Sequence, residues 1–177
     1  RVVSGPLCLV GGAEWTEGCT FDAELAAEAG ATSVAVVPTA AAYEGADAVL
    51  VQAREWFGAL DVEVVDVPVL RRADALDGEN VRRVREAPFV YLPGGESGGS
   101  PMHLRSVLKD SPLLDAIVAA WNEGAVLAGS AAGASVLFDH MVDTRGGAFT
   151  VGLGLFSGFT MIPRFDQWSH DKVHRTV

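Results

Sequence analysis

Short apolar runs alternate along this chain with longer segments in which apolar residues recur every three or four positions. The runs are Leu7–Val10, Ser33–Val37, Phe89–Leu92 and Ala125–Ala128. Runs of this kind predict strands that are covered on both faces of a sheet. Val62–Val67 instead alternates valine with acidic residues, which predicts an edge strand with one face in water. A further short strand is predicted at Thr160–Ile162.

The segments between these runs have the spacing of amphipathic helices. They are Phe21–Ala29, Tyr43–Leu60, Asn80–Glu86, Met102–Leu108 and Leu113–Trp121. Strands that alternate with helices favour a mainly parallel sheet between two helical layers, so we predict an α/β protein with a three-layer αβα sandwich. At 177 residues the chain is long enough for one such domain over residues 1–177 and too short for two. Ligands of such sheets bind at the carboxyl ends of the strands.

One segment, Val126–Val136, reads VLAGSAAGASV and combines a strand, a sharp turn and the start of a helix. Glycines two positions before and two after a central residue are typical of the nucleophile elbow, which holds a reactive side chain in strained backbone at the tip of a sheet. Here the glycines are Gly129 and Gly133, so the central residue is Ala131. Its methyl group cannot attack a carbonyl. The frame for covalent catalysis is therefore present without its nucleophile.

A glycine-rich loop follows the strand Phe89–Leu92. Its nine residues, Pro93–Pro101, include four glycines. Because glycine allows positive φ, the backbone amides of Gly94 and Gly95 can point outward towards a ligand oxygen. Glu96 adds a carboxylate that can recognise an amine or serve as an acid. The loop is therefore a second candidate for the functional site.

Composition narrows the classes of partner. The net charge is -10 and the pI is near 4.7, which disfavours a nucleic-acid partner because phosphate binding needs a basic surface, and none is predicted. No apolar run is long enough to span a bilayer, so we expect a cytoplasmic protein without a membrane partner. Cys8 and Cys19 lack metal or redox spacing, and no cofactor or metal is predicted.

Three segments together resemble the peptidase E and cyanophycinase family of serine peptidases, whose fold is related to that of class I glutamine amidotransferases. They are LPGG with SPMHLRSVL (Leu92–Leu108), VLAGSAAGASVL (Val126–Leu137), and GLGLF followed by IPRFD (Gly152–Asp166). The segments cover most of the chain and occur in the family's order. The resemblance implies a glutamine amidotransferase-like sandwich with the elbow at residues 129–133. We also expect residues to be missing at both termini, since the chain opens at Arg1 and similar sequences continue further.

The resemblance also assigns two catalytic seats. The family's elbow is Gly-x-Ser-Ala-Gly, so the serine's seat is Ala131. The family's base is a histidine in a Pro-His-Phe-like segment, so its seat is Arg164. The acid that oriented the histidine stays open among three residues, Asp139, Asp143 and Asp166. Replacement of both side chains favours natural loss of hydrolysis over an engineered Ser→Ala change.

Without the serine and the histidine, the resemblance still implies a pocket that binds an oxyanion or another anion. Amides at Gly95 or its neighbours and at Ala132 would favour a carboxylate or carbonyl oxygen. Arg164 adds a fixed charge with bidentate geometry. Ser130 and His103 are assigned to the same pocket. The expected partner is a small molecule or peptide that can carry a carboxylate, and a homodimer is the expected assembly.

Three hypotheses follow for the function. The first is a family member without hydrolase chemistry that acts through the inherited pocket. The second is a genuine serine peptidase seen as a Ser→Ala variant at position 131, with His170 or His174 replacing the base. The third is an enzyme of another kind, which uses Arg164 or Glu96 for proton transfer or cyclisation. His170 and His174 have metal-pair spacing but no third ligand, so a solvated helix face is the preferred interpretation.

Overall fold

A five-stranded parallel sheet forms the centre of the protein in a computed structural model that describes residues 3–176. Its strands are β1 Leu7–Val10, β2 Ser33–Val36, β3 Glu63–Asp66, β4 Phe89–Leu92 and β5 Val126–Ser130. They lie in the order β1-β5-β4-β2-β3, and every neighbouring pair is parallel. The mainly parallel sheet is therefore confirmed. β3 lies at an edge, as its alternating pattern predicts.

Helices cover both faces of this sheet. They are α1 Phe21–Glu28, α2 Ala46–Gly58, α3 Gly78–Arg85, α4 Pro101–Leu108, α5 Pro112–Asn122, α6 Ala132–Ser135 and α7 His170–Thr176. Successive residues of β4 point to opposite faces, so Val90 and Leu92 pack with α4 and α5. Phe89 and Tyr91 pack with α1 and α2 around Phe57. The two cores establish the predicted αβα sandwich.

Side-chain caps fix where two of the helices begin. Ser100 Oγ accepts a hydrogen bond from the amide of His103 at 3.2 Å, and Pro101 takes the first position of α4, as its sequence predicts. Ser111 caps α5 in the same way, accepting from the amide of Leu114 at 3.1 Å. The cap at Ser100 therefore marks the end of the glycine loop and fixes its position relative to α4.

Beyond the elbow the chain differs from the predicted pattern. Residues 160–162 form no strand, so that prediction is wrong. The antiparallel hairpin of β6 His140–Val142 and β7 Phe149–Val151 forms instead, closed by a turn near Gly147. Thr160 contributes only its hydroxyl, which donates to the carbonyl of His140 at 2.6 Å. Of the helices between residues 3 and 176, none is both long and apolar enough to cross a bilayer.

Candidate active site

The elbow at the end of β5 has the strained geometry that its glycines predict. Ala131 has φ 49° and ψ −110°, a region that costs a non-glycine residue about 1–3 kcal/mol. Its amide donates to the carbonyl of Val10 at 2.9 Å. A Cβ on Gly133 would lie 1.8 Å from the carbonyl oxygen of Leu92, and one on Gly129 would lie 2.4 Å from that of Gly133. The strand and helix can meet this closely only because both positions are glycine.

A pocket of about 280 Å³ lies beside the tip of the elbow. Its lining includes Ala131 and Gly98 together with the side chains of Arg164, Trp168 and Lys172. None of the residues that line it is aspartate, glutamate or histidine. The walls therefore offer cations, amides and an indole ring to a ligand, and no carboxylate or imidazole.

Arg164 reaches this pocket from the segment after residue 160. It has left-handed backbone, with φ 51°, and its amide donates to the carbonyl of Gly11 at 2.8 Å. Its side chain crosses Gly12 and Gly98, where added Cβ atoms would lie 2.8 Å from Cγ and 3.1 Å from Cδ. One guanidinium nitrogen donates to the carbonyl of Glu96 at 2.9 Å. The structure thus brings the two predicted seats, Ala131 and Arg164, to one cavity.

Lys172 supplies a second cation that sequence reasoning missed. Its Nζ donates to the carbonyl of Thr144 at 2.5 Å and lies 4.1 Å from the centre of the Trp168 ring. Such a cation–π contact contributes about 0.5–2 kcal/mol and fixes the position of the ammonium group. A lysine on a terminal helix carries no sequence signal for this role, because only the packing of α7 against the β6–β7 turn directs it inward.

Glu14 is the second residue that the sequence did not single out. Its side chain is almost fully buried, and one carboxylate oxygen accepts from the amides of Gly94 at 2.9 Å and Gly95 at 2.8 Å. The other oxygen accepts from Ser130 Oγ at 2.7 Å. Ser130 is fully buried and bonded here, so its assignment to the ligand pocket is corrected. The Gly11-Gly12 pair after β1 indicates a turn and gives no sign of a buried carboxylate two residues later.

The predicted oxyanion amides have partners within the protein. Those of Gly94 and Gly95 bind Glu14, and that of Ala132 donates to the carbonyl of Gly98 at 3.0 Å. The expectation that these amides face a ligand freely is therefore wrong in this conformation. The first two amides are bonded to the buried Glu14 carboxylate, and the third is bonded to the glycine loop, which folds back onto the elbow.

Other predicted residues lie outside the pocket at Ala131. Glu96 is exposed and borders a neighbouring cavity of about 350 Å³ that it shares with Glu14 and Arg164. The ring of His103 bonds the carbonyl of Leu70 at 2.7 Å and packs on Tyr43, so its assignment to the pocket is corrected.

The candidate replacement bases and acids are also dispersed. His170 and His174 are exposed on α7 and do not line the pocket. Asp139 Oδ1 lies 3.3 Å from His140 Nδ1, and Arg145 forms a salt bridge with Asp143. The Arg145 guanidinium keeps the pKa of the Asp143 carboxyl below its usual value. These side chains form no second catalytic set around Ala131.

A parallel αβα sandwich with a strained elbow at the carboxyl end of a central strand defines a class of hydrolase-like α/β proteins. The model of peptidase family S51 matches residues 7–175, and the chain belongs to that family. A peptidase from an acI-B1 Actinobacterium is 30% identical, with a TM-score of 0.85 over 99% of this chain and 75% of the other. A putative peptidase E from Listeria monocytogenes EGD-e shares the fold, with 19% identity and a TM-score of 0.62 over 87% of this chain and 76% of the other.

Proposed function

We propose that this member of family S51 binds a carboxylate-bearing small molecule or peptide in the pocket beside Ala131 and does not hydrolyse it by the serine route. The main support for this proposal is the residue at the tip of the elbow. Acyl transfer through a covalent intermediate needs an oxygen or sulfur nucleophile there, and Ala131 offers a methyl group. The elbow backbone is retained, so the position is the one that a nucleophile would occupy.

The seat of the base supports the same conclusion. Arg164 is always protonated in proteins, so it cannot take a proton from a nucleophile or a water molecule. No histidine lines the pocket that could replace it. Removing members of a catalytic triad lowers kcat by about 10⁴ to 10⁶. The chain as it stands is therefore expected to show no measurable peptidase turnover.

Charge supports an anionic ligand. The protein carries a net charge of -10, yet the pocket is lined by Arg164 and Lys172 and by no acid. Neither cation forms an ion pair within residues 3–176. Both bind backbone carbonyls and keep further donors for a ligand. Cations that face a cavity without forming a salt bridge attract a carboxylate and form charge-assisted hydrogen bonds with it.

Titration calorimetry with acidic dipeptides and with their uncharged diamides tests the binding. We expect the carboxylate forms to bind and the amides to bind at least about tenfold more weakly. Arg164→Gln and Lys172→Gln should each weaken binding by about tenfold or more. Lys109→Gln removes the same charge from an exposed site outside the pocket and should leave binding unchanged. Equal binding of acids and amides would exclude the proposal.

Restoration of the catalytic side chains tests the lack of hydrolysis. Ala131→Ser, alone and with Arg164→His, is assayed against acyl and aspartyl dipeptide reporters. Turnover by the unsubstituted chain would contradict the proposal directly. Turnover recovered by Ala131→Ser alone would favour the alternative, a genuine serine peptidase captured as a Ser→Ala variant. Turnover that requires both changes would favour natural loss.

A further inference from the structure

The turn between β1 and α1 has a conformation that the elbow and the cation pocket do not require. Ala13 has φ 52° and Trp15 has φ 60°, so two residues with side chains adopt left-handed backbone on either side of Glu14. Such conformations cost free energy and persist only when surrounding contacts impose them. Here the Trp15 ring packs on Tyr91, with ring centres 5.0 Å apart, inside one of the two cores. The turn therefore directs Glu14 into the interior.

Both oxygens of the Glu14 carboxylate accept hydrogen bonds, one from the start of the glycine loop and the other from the last residue of β5. Two successive amides, of Gly94 and Gly95, share one oxygen, and the Ser130 hydroxyl takes the other. Hydrogen bonds to an ionised acceptor are about twice as strong as neutral ones. The three donors replace the water that this buried carboxylate has lost. They also fix the direction in which the loop leaves β4.

The same loop closes onto the elbow at its other end. The Gly98 amide donates to the carbonyl of Gly95 at 3.0 Å, and the Gly98 carbonyl accepts from the Ala132 amide at 3.0 Å. Gly95 and Gly98 have φ 86° and 90°, which favours glycine at both positions. A Cβ on Gly94 would lie 2.6 Å from the Gly98 oxygen, so the two ends of the loop are in close contact. The conformation of the first end therefore limits where the Gly98 carbonyl can lie.

We propose that Glu14 is a positioning residue that holds the glycine loop of residues 94–99 closed. In this closed state the Gly98 carbonyl accepts the hydrogen bond of the Ala132 amide at the elbow. In this state the protein satisfies its own oxyanion donor. A ligand oxygen reaches that amide only when the loop moves away. The proposal concerns the backbone of the site, so it does not depend on which ligand binds the two cations.

Amide hydrogen exchange measured by NMR tests this coupling. In the native chain we expect the amides of Gly94, Gly95 and Ala132 to be protected. Glu14→Ala should raise all three exchange rates by about tenfold or more, because the loop loses its anchor. Glu14→Gln keeps an oxygen that accepts the loop amides, so its rates should lie between those of the native chain and Glu14→Ala.

Two references separate this coupling from general destabilisation. Glu96→Gln removes a carboxylate from the same loop, where its side chain makes no hydrogen bond within residues 3–176, and should change none of the three rates. The amide of Leu127, which donates to the carbonyl of Pro6 at 3.0 Å within the sheet, should keep its rate in every variant. An unchanged Ala132 rate, or an equal rise at Leu127, would overturn the proposal.

A chemical probe covers the case in which Glu14→Ala does not fold. Ala131→Cys places a thiol at the tip of the elbow, and its alkylation by iodoacetamide is followed by peptide mass spectrometry, which separates it from Cys8 and Cys19. Adding Glu14→Gln should raise the alkylation rate by about threefold, because the amide oxygen still accepts from the loop but more weakly than a carboxylate, and adding Glu96→Gln should not raise it. Equal rates in the presence and absence of Glu14→Gln would contradict a closed loop held by this carboxylate.

Discussion

Asp22 makes the stability of this protein depend on pH in an unusual direction. The carboxyl is fully buried in the first turn of α1, and only one of its oxygens has a hydrogen-bond partner, Trp56 Nε1 at 2.9 Å. Burial raises the pKa of Asp22 from 3.8 to about 6. The Trp56 hydrogen bond opposes this increase, and the charge of Glu14 adds to it. Between about pH 4 and pH 6, Asp22 in the folded protein therefore holds a proton that the unfolded chain has already released.

The sign and size of the effect follow from proton linkage. Between pH 4 and pH 6 the native state binds more protons than the unfolded state, so the free energy of unfolding falls as pH rises through this window. A rise in pKa from 3.8 to about 6 corresponds to ~3 kcal/mol, lost from the stability once Asp22 is ionised above pH 6. Asp22→Asn removes the titration and keeps an acceptor for Trp56. The stability of this variant minus that of the native chain should therefore increase by ~2 kcal/mol from pH 4 to pH 7, since part of the difference is already present at pH 4.

Urea unfolding of both proteins at several pH values between 4 and 8 measures this difference. Subtracting the two curves cancels the other titrating groups that the variants share. Asp115→Asn, which neutralises an exposed carboxylate on α5, is the matched control and should give a difference of less than about 0.5 kcal/mol across the range. A flat difference for Asp22→Asn, or one that falls with pH, would refute the assignment of a raised pKa to buried Asp22.

Three further predictions concern stability and are tested by urea unfolding at constant pH. Gly133→Ala should cost about 3 kcal/mol or more, because its Cβ would lie 1.8 Å from the Leu92 carbonyl oxygen; a cost below about 1 kcal/mol would mean that β4 moves aside easily. Ser111→Ala removes the cap of α5 and should cost about 1 kcal/mol, and no loss would contradict its role as cap. Ile117→Ala should cost about 2–5 kcal/mol because the side chain is fully buried between α5 and the sheet, and a cost near zero would contradict close packing there.

Much of the fold could be predicted from the sequence because the relevant information is local. The run from Val126 to Val136 contains its own strand, glycines and helix start, and so the elbow with Ala131 at its tip follows from eleven consecutive residues. Four apolar runs and one alternating segment likewise predicted the five central strands to within a few residues. The short β6–β7 hairpin escaped prediction because its strands are only three residues long and their pattern is weak.

The charges and hydrogen bonds of the site were decided by tertiary structure. Ala131 and Lys172 are far apart in sequence and share a pocket only because α7 returns across the β6–β7 turn. In the sequence Glu14 is an ordinary polar residue after a glycine pair. In the structure, packing of Trp15 imposes left-handed backbone on both sides of Glu14 and buries its carboxylate. Local sequence thus determined that alanine stands at the tip of the elbow. Long-range packing determined that Arg164 and Lys172 face the elbow and that the Gly98 carbonyl accepts from the Ala132 amide. These contacts join segments that no local sequence pattern connects.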